Sequence, residues 1–224
     1  KKDIVPMRTS GGLDTVAIRM PSNPVAKALL EEVKLPIAAP SANISGRPSP
    51  TKGIHVYHEM NNRVDGIIIG GDCTFGLEST VLDLTNDVPM ILRPGSITKE
   101  DLENVIGHVN MDPALEKKED SIKAKAPGMK YKHYSPNAEV FIVSGEIDDV
   151  ANKINELVDN NSKEGLKTAV MCLEDNKNKY NCDTIVLGEN LEEVAMNLFS
   201  SLISADEKEY DIIEAYEIQL VERK

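Results

Sequence analysis

The residues best suited to chemistry lie in one loop-like segment, Ala39-Pro40-Ser41-Ala42-Asn43-Ile44-Ser45-Gly46-Arg47-Pro48-Ser49-Pro50-Thr51. Four hydroxyls, one amide and a run of backbone N–H groups stand there among three stiffening prolines. Short donors of this kind at a strand end can hold phosphate or carboxylate oxygens. On composition alone a tight surface turn fits at least as well, because Ser, Asn, Gly and Pro are also the commonest turn residues. Nucleophilic hydrolysis through Ser41 or Ser79 is remote, since neither sits in a nucleophile-elbow glycine pattern. His55, His58 and Glu59 match no zinc-ligand spacing and read as a solvated helix face. His108 stands just past a helix end, where a dipole contact accounts for it. Gly70, Gly71 and Gly76 lack the spacing of a dinucleotide or phosphate-binding loop. Cys73, Cys172 and Cys182 have neither metal nor redox spacing and read as small buried or partly buried thiols.

The elements that would position this loop form a mixed α/β pattern. Leu13 to Arg19, Pro36 to Ala39 and Gly66 to Gly71 read as strands, the last closed by glycines. Asn23-Pro24 signals a helix start, and Val25, Ala28, Leu29 and Val33 follow at helical spacing as a stripe to be buried. Ser49-Pro50 opens a helix that runs to about Glu59, while Ser79–Leu84 and Met90–Arg93 pair as strands across Asn86-Asp87. Thr98 and Asp101 make a capping-box-like start to a helix from Lys99 to Ile106, with Gly107 past its end. Periodicity then fades. Beyond Asn137, strands at 139–143, 168–173, 184–187 and 211–218 alternate with helices at 147–158 and around Leu191–Ile203. That alternation predicts an α/β sheet with helical crossovers. The resulting division is 1–109 for a first α/β domain, 110–136 for a linker, and 137–224 for a smaller Rossmann-like α/β domain.

Charge limits the partners. Residues 1–125 carry 15 Lys and Arg against 17 Asp and Glu, whereas residues 126–224 carry 10 against 20. The second half would repel a polyanion, and nine aromatics with no Trp give little base-stacking surface. Tight RNA binding by the chain alone is disfavoured. Small anionic ligands suit the first half, where single arginines stand among Gly, Pro and Ser. No apolar run reaches the ~20 residues that cross a bilayer, and Lys1 to Pro6 is followed by no apolar core of a signal peptide. The expected setting is a reducing cytoplasm.

The Ala39–Thr51 segment resembles, nearly residue for residue, the signature of the YrdC-like threonylcarbamoyl-AMP synthases. Four further segments follow in the family's order. Gly12-Leu13-Asp14-Thr15-Val16-Ala17-Ile18-Arg19-Met20-Pro21 looks like its strand ending in arginine. Glu78-Ser79-Thr80-Val81 and Ile91-Leu92-Arg93-Pro94-Gly95 come next. Ala126-Pro127-Gly128-Met129-Lys130-Tyr131-Lys132-His133-Tyr134 is similar to the linker motif of the long, two-domain members.

The resemblance implies a partial YrdC-like twisted α/β domain, a linker, and the Rossmann-like domain. It implies a nucleotidyltransferase that joins L-threonine, bicarbonate and ATP into threonylcarbamoyl-AMP, releases pyrophosphate, and serves transfer-RNA modification through partner proteins. Mg²⁺ would accompany the ATP, with no side-chain metal ligands identified. Arg19 and Ser79 match threonine-contacting positions, with Ala39 offering backbone atoms. Thr15, Ser41, Asn43, Ser49 and Arg93 match the nucleotide side, joined by Tyr131 and His133. Arg19 and Arg93 would carry the catalytic charge. Gly128, Lys130, Tyr131, His133 and Tyr134 would form a lid over a labile intermediate, or dock the two domains. Family members carry a further upstream stretch that shares in substrate binding. The chain is therefore expected to hold only part of the site, to expose apolar surface in its first domain, and to be cut short near Lys224 as well. A non-catalytic RNA-binding module of the same fold and a related carbamoyl-transferring enzyme are the alternatives.

Overall fold

The computed structural model describes residues 4–115 and 135–217. The lid motif, with Gly128, Lys130, Tyr131, His133 and Tyr134, lies outside the described residues, and so does the end of the last expected strand.

The second unit is a four-stranded parallel sheet in the order β4-β7-β5-β6, formed by Glu139–Val143 (β4), Thr168–Leu173 (β5), Asp183–Gly188 (β6) and Ile212–Tyr216 (β7). Helices Ile147–Lys163 (α4) and Leu191–Glu207 (α5) are its long crossovers. β5 shows why the sheet lies between them. Its alternate residues Ala169 and Met171 pack with Phe199, Leu202 and Ala205 of α5. Val170 and Cys172 pack on the other face with Val150, Ile154 and Val158 of α4. Period-2 alternation thus divides one central strand between two helices, each offering a stripe at 3.6 spacing. β5 is buried along its length, as a parallel strand covered on both faces must be. The Asn190 side chain accepts from the Glu193 amide 2.9 Å away and so starts α5. Burial pushes the Cys172 and Cys182 thiols up to about 11, in keeping with packing rather than nucleophilic roles. Cys73, in contrast, is exposed rather than buried.

In the first unit, Val81–Asp83 (β1) and Met90–Arg93 (β2) pair antiparallel, as the pattern predicts. Asn110–Met111 (β3), which falls in the segment read as linker, adds to β2 in parallel. Helices Pro24–Val33 (α1), Gly53–Met60 (α2) and Lys99–Ile106 (α3) complete the described elements. Two of the three start signals are met. The Asn23 side chain accepts from the Val25 and Ala26 amides, and Thr98 with Asp101 forms a full capping box.

Four expectations fail here. Residues 13–19, 36–39 and 66–71 are not strands, because a strand requires a hydrogen-bonded neighbour and none of these segments joins either sheet. The stripe Val25, Leu29, Val33 is 39%, 42% and 40% exposed, because the segment at Gly70 comes beside Val25 without covering the face. α2 begins at Gly53 rather than Ser49-Pro50, because the Ser49 hydroxyl donates to Glu78 and caps nothing. α4 runs to Lys163, five residues past the expected end at Val158. The expected apolar exposure is present: Ile18, Met20, Ile68 and Ile69 are each mostly exposed.

One buried polar group interrupts the second core. Glu214, on the α4-facing side of β7 beside Val170, is 2% exposed, and its Oε2 has no hydrogen-bond partner among the described residues. Burial pushes its carboxyl upward from 4.5. An acid raised in the folded state favours folding while protonated, so that contribution is lost as pH climbs above the unfolded value toward the folded one. Glu214→Gln should therefore raise stability by about 1 kcal/mol or more near pH 8 and change it little near pH 4. Urea denaturation at both pH values reads the difference.

Candidate active site

The motif residues meet where the 39–51 loop, the 73–79 loop and the end of β2 converge. Asn43 organises the first loop from within: its Nδ2 donates to the carbonyls of Ile44 at 2.9 Å and Arg47 at 3.2 Å. The Arg47 amide closes the turn on the Ile44 carbonyl at 3.1 Å, and Gly46 supplies the left-handed φ of 93° that the turn requires. Glu59 of α2 holds the same turn from below. Its Oε2 accepts from the Ile44 amide at 2.6 Å and its Oε1 lies 3.6 Å from Arg47 Nε. Pro48 is fully buried beneath, and the Thr51 carbonyl accepts from the Cys73 amide at 2.8 Å, which joins the two loops.

Glu78 then ties loop to strand. Its Oε1 accepts from Ser49 Oγ at 2.9 Å and its Oε2 lies 3.4 Å from Arg93 Nη1. Arg93 donates from Nε and Nη2 to the Ser79 carbonyl at 3.1 and 2.8 Å. This two-pronged grip on one carbonyl exploits the planar guanidinium fork, a geometry lysine cannot reproduce. Gly95 allows the close approach behind it, because a side chain there would overlap the backbone of Glu78 and Thr80. A carboxylate, a guanidinium and two hydroxyl-bearing residues are thus joined through charge-assisted hydrogen bonds.

Of the residues singled out by sequence, Asn43, Ser49, Ser79 and Arg93 are brought together in this network. Thr15, Arg19, Ala39 and Ser41 are exposed on segments without regular structure and make no hydrogen bond to it among the described residues. Tyr131 and His133 lie outside the described residues. Sequence reasoning missed Glu78, Glu59 and Arg47 as members. Glu78 stands in a quoted motif, yet its role shows only when the fold brings Ser49 and Arg93 to opposite ends of its carboxylate. Glu59 was readable only as the neighbour of a histidine pair. His55 of that pair is half-buried, and its imidazole is pushed below 6.5, first by burial and then by Lys52. Among the described residues no group of three or more His, Cys, Asp or Glu side chains could hold a metal ion. The Glu78 carboxylate is already engaged by Arg93 and the Ser49 hydroxyl, so it does not stand as an open metal ligand.

Known proteins are similar to this chain in sequence and fold. A threonylcarbamoyl-AMP synthase of Pyrococcus abyssi is 46% identical over 214 residues, covering 95% of this chain and 62% of the relative. The enzyme of that name from Bacillus subtilis is 43% identical over 216 residues, covering 95% of this chain and 61% of the relative. The chain thus spans about three-fifths of the length of these curated relatives. The crystal structure of P. abyssi Sua5 complexed with L-threonine superposes with a TM-score of 0.87 at 42% identity, covering 97% of this chain and 63% of that one. Both α/β units therefore share the fold of that protein. The family profile described as "Telomere recombination" matches residues 1–95. The profile described as "Threonylcarbamoyl-AMP synthase, C-terminal domain" matches residues 97–223, more than half of the chain, and the chain belongs to the threonylcarbamoyl-AMP synthase family.

Proposed function

We propose that this chain provides the larger part of an enzyme that makes threonylcarbamoyl-AMP from L-threonine, bicarbonate and Mg–ATP. Pyrophosphate is released, and the threonylcarbamoyl group passes through partner proteins to transfer RNA. The observation that carries the reading is the Asn43–Ser49–Glu78–Arg93–Ser79 network, built from three separate motifs in a chain 46% identical to a threonylcarbamoyl-AMP synthase. The P. abyssi structure in complex with L-threonine supports the choice of amino acid. A division after β3 and near residue 137 belongs to the same proposal, as does a cytoplasmic location, where the three free thiols stay reduced. No helix of the described residues is long and apolar enough to cross a membrane.

The chemistry asks for positioning more than for covalent help. Bicarbonate gives CO₂ by losing hydroxide, and the threonine amine takes up that CO₂ as a carbamate while its proton goes to the hydroxide, leaving water. A carbamate oxygen attacks the α-phosphorus of ATP, and the bond to the β-phosphate bridging oxygen breaks as pyrophosphate leaves. Holding three reactants in line removes much of the entropic barrier. Arg19 grips the threonine carboxylate through two parallel hydrogen bonds, and Ser79 with the Ala39 backbone fixes the rest of the amino acid. Arg93 holds the Ser79 carbonyl and so sets that backbone. Its charge also favours the negative charge that accumulates on the phosphates. Thr15, Ser41, Asn43 and Ser49 line the nucleotide side. Tyr131 and His133, with Gly128, Lys130 and Tyr134, close over the carbamoyl-adenylate and keep water from it. Mg²⁺ comes as the complex with ATP, held chiefly by phosphate oxygens.

Charge argues against the RNA-binding alternative. The second half carries 20 acids against 10 bases, and phosphate contacts need clustered Lys and Arg.

Pyrophosphate release that depends on threonine and bicarbonate tests the proposal, measured on this chain and on the chain carried within a protein of the relatives' full length. In the longer protein, Arg19→Ala and Arg93→Ala should each lower kcat/KM by about 100-fold or more, the loss typical of one removed charge-stabilising donor. Nucleotide turnover indifferent to threonine would overturn the substrate. Full activity of this chain alone would overturn the claim that it holds only part of the site.

A further inference from the structure

Helix α5 belongs to the second unit, yet two loops of the first unit rest on it. Arg47 Nη2 donates to Asp206 Oδ2 at 3.3 Å, across 159 positions of sequence. Asp206 Oδ1 accepts the Asn137 amide at 2.7 Å, at the point where the chain enters β4. The Ser135 amide also donates to the Gly46 carbonyl at 3.2 Å. Further along the same helix, Gly76 is buried so closely against α5 that any side chain there would overlap the Met196 carbonyl oxygen. The two loops seated on α5 are the two that carry Asn43, Ser49, Glu78 and Ser79.

The placement of Asp206 is informative in itself. It lies in the last turn of α5, where the helix dipole disfavours a carboxylate and where no basic residue of the helix offsets it. Its side chain is nevertheless only 5% exposed. A buried carboxylate in that position requires partners from elsewhere. Here they are the Arg47 guanidinium and the Asn137 N–H. Arg47 in turn bridges Asp206 and Glu59, so the turn that Asn43 organises is held between α2 of one unit and α5 of the other.

We infer that Arg47 and Asp206 form an inter-unit latch that positions the substrate loops, and that this scaffolding is what the acidic second unit contributes to the reaction. Arg47 is a positioning residue, acting through the turn to which Asn43 and Ile44 belong. Gly76 is the second seat, needed for the close approach of the 73–79 loop to α5. The inference rests on the proposed function for its catalytic meaning, whereas the latch can be tested without turnover.

Amide hydrogen exchange of the full chain is the test, run on Asp206→Asn, Arg47→Gln and the double variant. Each single change should speed exchange at the Ile44, Arg47 and Asn137 amides about tenfold and leave the β5 amides unchanged. The double variant should add little beyond either single one, because both remove the same interaction. Arg47→Lys should keep part of the protection. Effects that simply multiply in the double variant, or an Asn137 amide indifferent to Arg47→Gln, would overturn the latch. If Asp206→Asn also speeds the β5 amides, its unit has loosened as a whole; Arg47→Gln, made on a half-exposed side chain, then decides the matter through Asn137. In a protein of the relatives' length, Arg47→Gln should raise KM for threonine and ATP more than it lowers kcat. Absence of threonine-dependent turnover in the parent with the latch protection intact would count against the proposed function and not against the latch.

Discussion

The site depends on a carboxylate with a cation on one side and a hydroxyl on the other. Glu78 accepts from Ser49 and pairs with Arg93, and Arg93 grips the Ser79 carbonyl. None of the segments involved is held by a long ladder: β1 has three residues, β2 four, and the loops have no regular structure. Backbone hydrogen bonding alone would leave such a region loosely defined. Charge-assisted hydrogen bonds, about twice as strong as neutral ones, replace the missing ladder. Asn43 and Gly46 give the neighbouring loop a fixed turn, so that Ser49 reaches Glu78.

Stability is distributed unevenly between the two units. The second has a central parallel strand buried on both faces and two helices that cover it. The first has three short strands and leaves large apolar side chains such as Ile18 and Ile68 mostly exposed. In that situation a well-packed neighbour is a natural support for the less packed one. α5 fills this role by offering Asp206 at one place and the Met196 carbonyl at another. The acidic unit, which sequence analysis leaves without chemistry of its own, becomes part of the framework of the site.

What could be read from sequence follows from how local each signal is. The second unit was legible because its strands alternate, its helices repeat at 3.6, and each element finds its neighbours within the same stretch of chain. Helix starts at Asn23 and Thr98 were legible because a cap is a contact between residues two or three apart. The expected strands at 13–19, 36–39 and 66–71 were misjudged because apolar pattern reports a tendency to pair, whereas a strand exists only with a partner alongside. The stripe on α1 was misjudged in the same way: periodicity marks a face that can be buried and says nothing of what covers it. Arg47 and Glu78 were missed as network members because their partners lie 159 and 29 positions away.

Of the motif residues, Asn43, Ser49, Ser79 and Arg93 come together, while Thr15, Arg19, Ala39 and Ser41 stay on exposed segments without regular structure. The central claim is therefore the proposed one, that the Glu78–Arg93 network sets the backbone of Ser79 for threonine, with Asn43 and Ser49 beside it on the nucleotide side. An L-threonine titration followed by backbone amide chemical shifts tests it most directly. Saturable shifts are expected at Ser79 and its neighbours Glu78 and Thr80, and at Arg19 and Ala39, with β5 and β6 unmoved. Shifts scattered over both units, or none at those residues at saturating threonine, would contradict it.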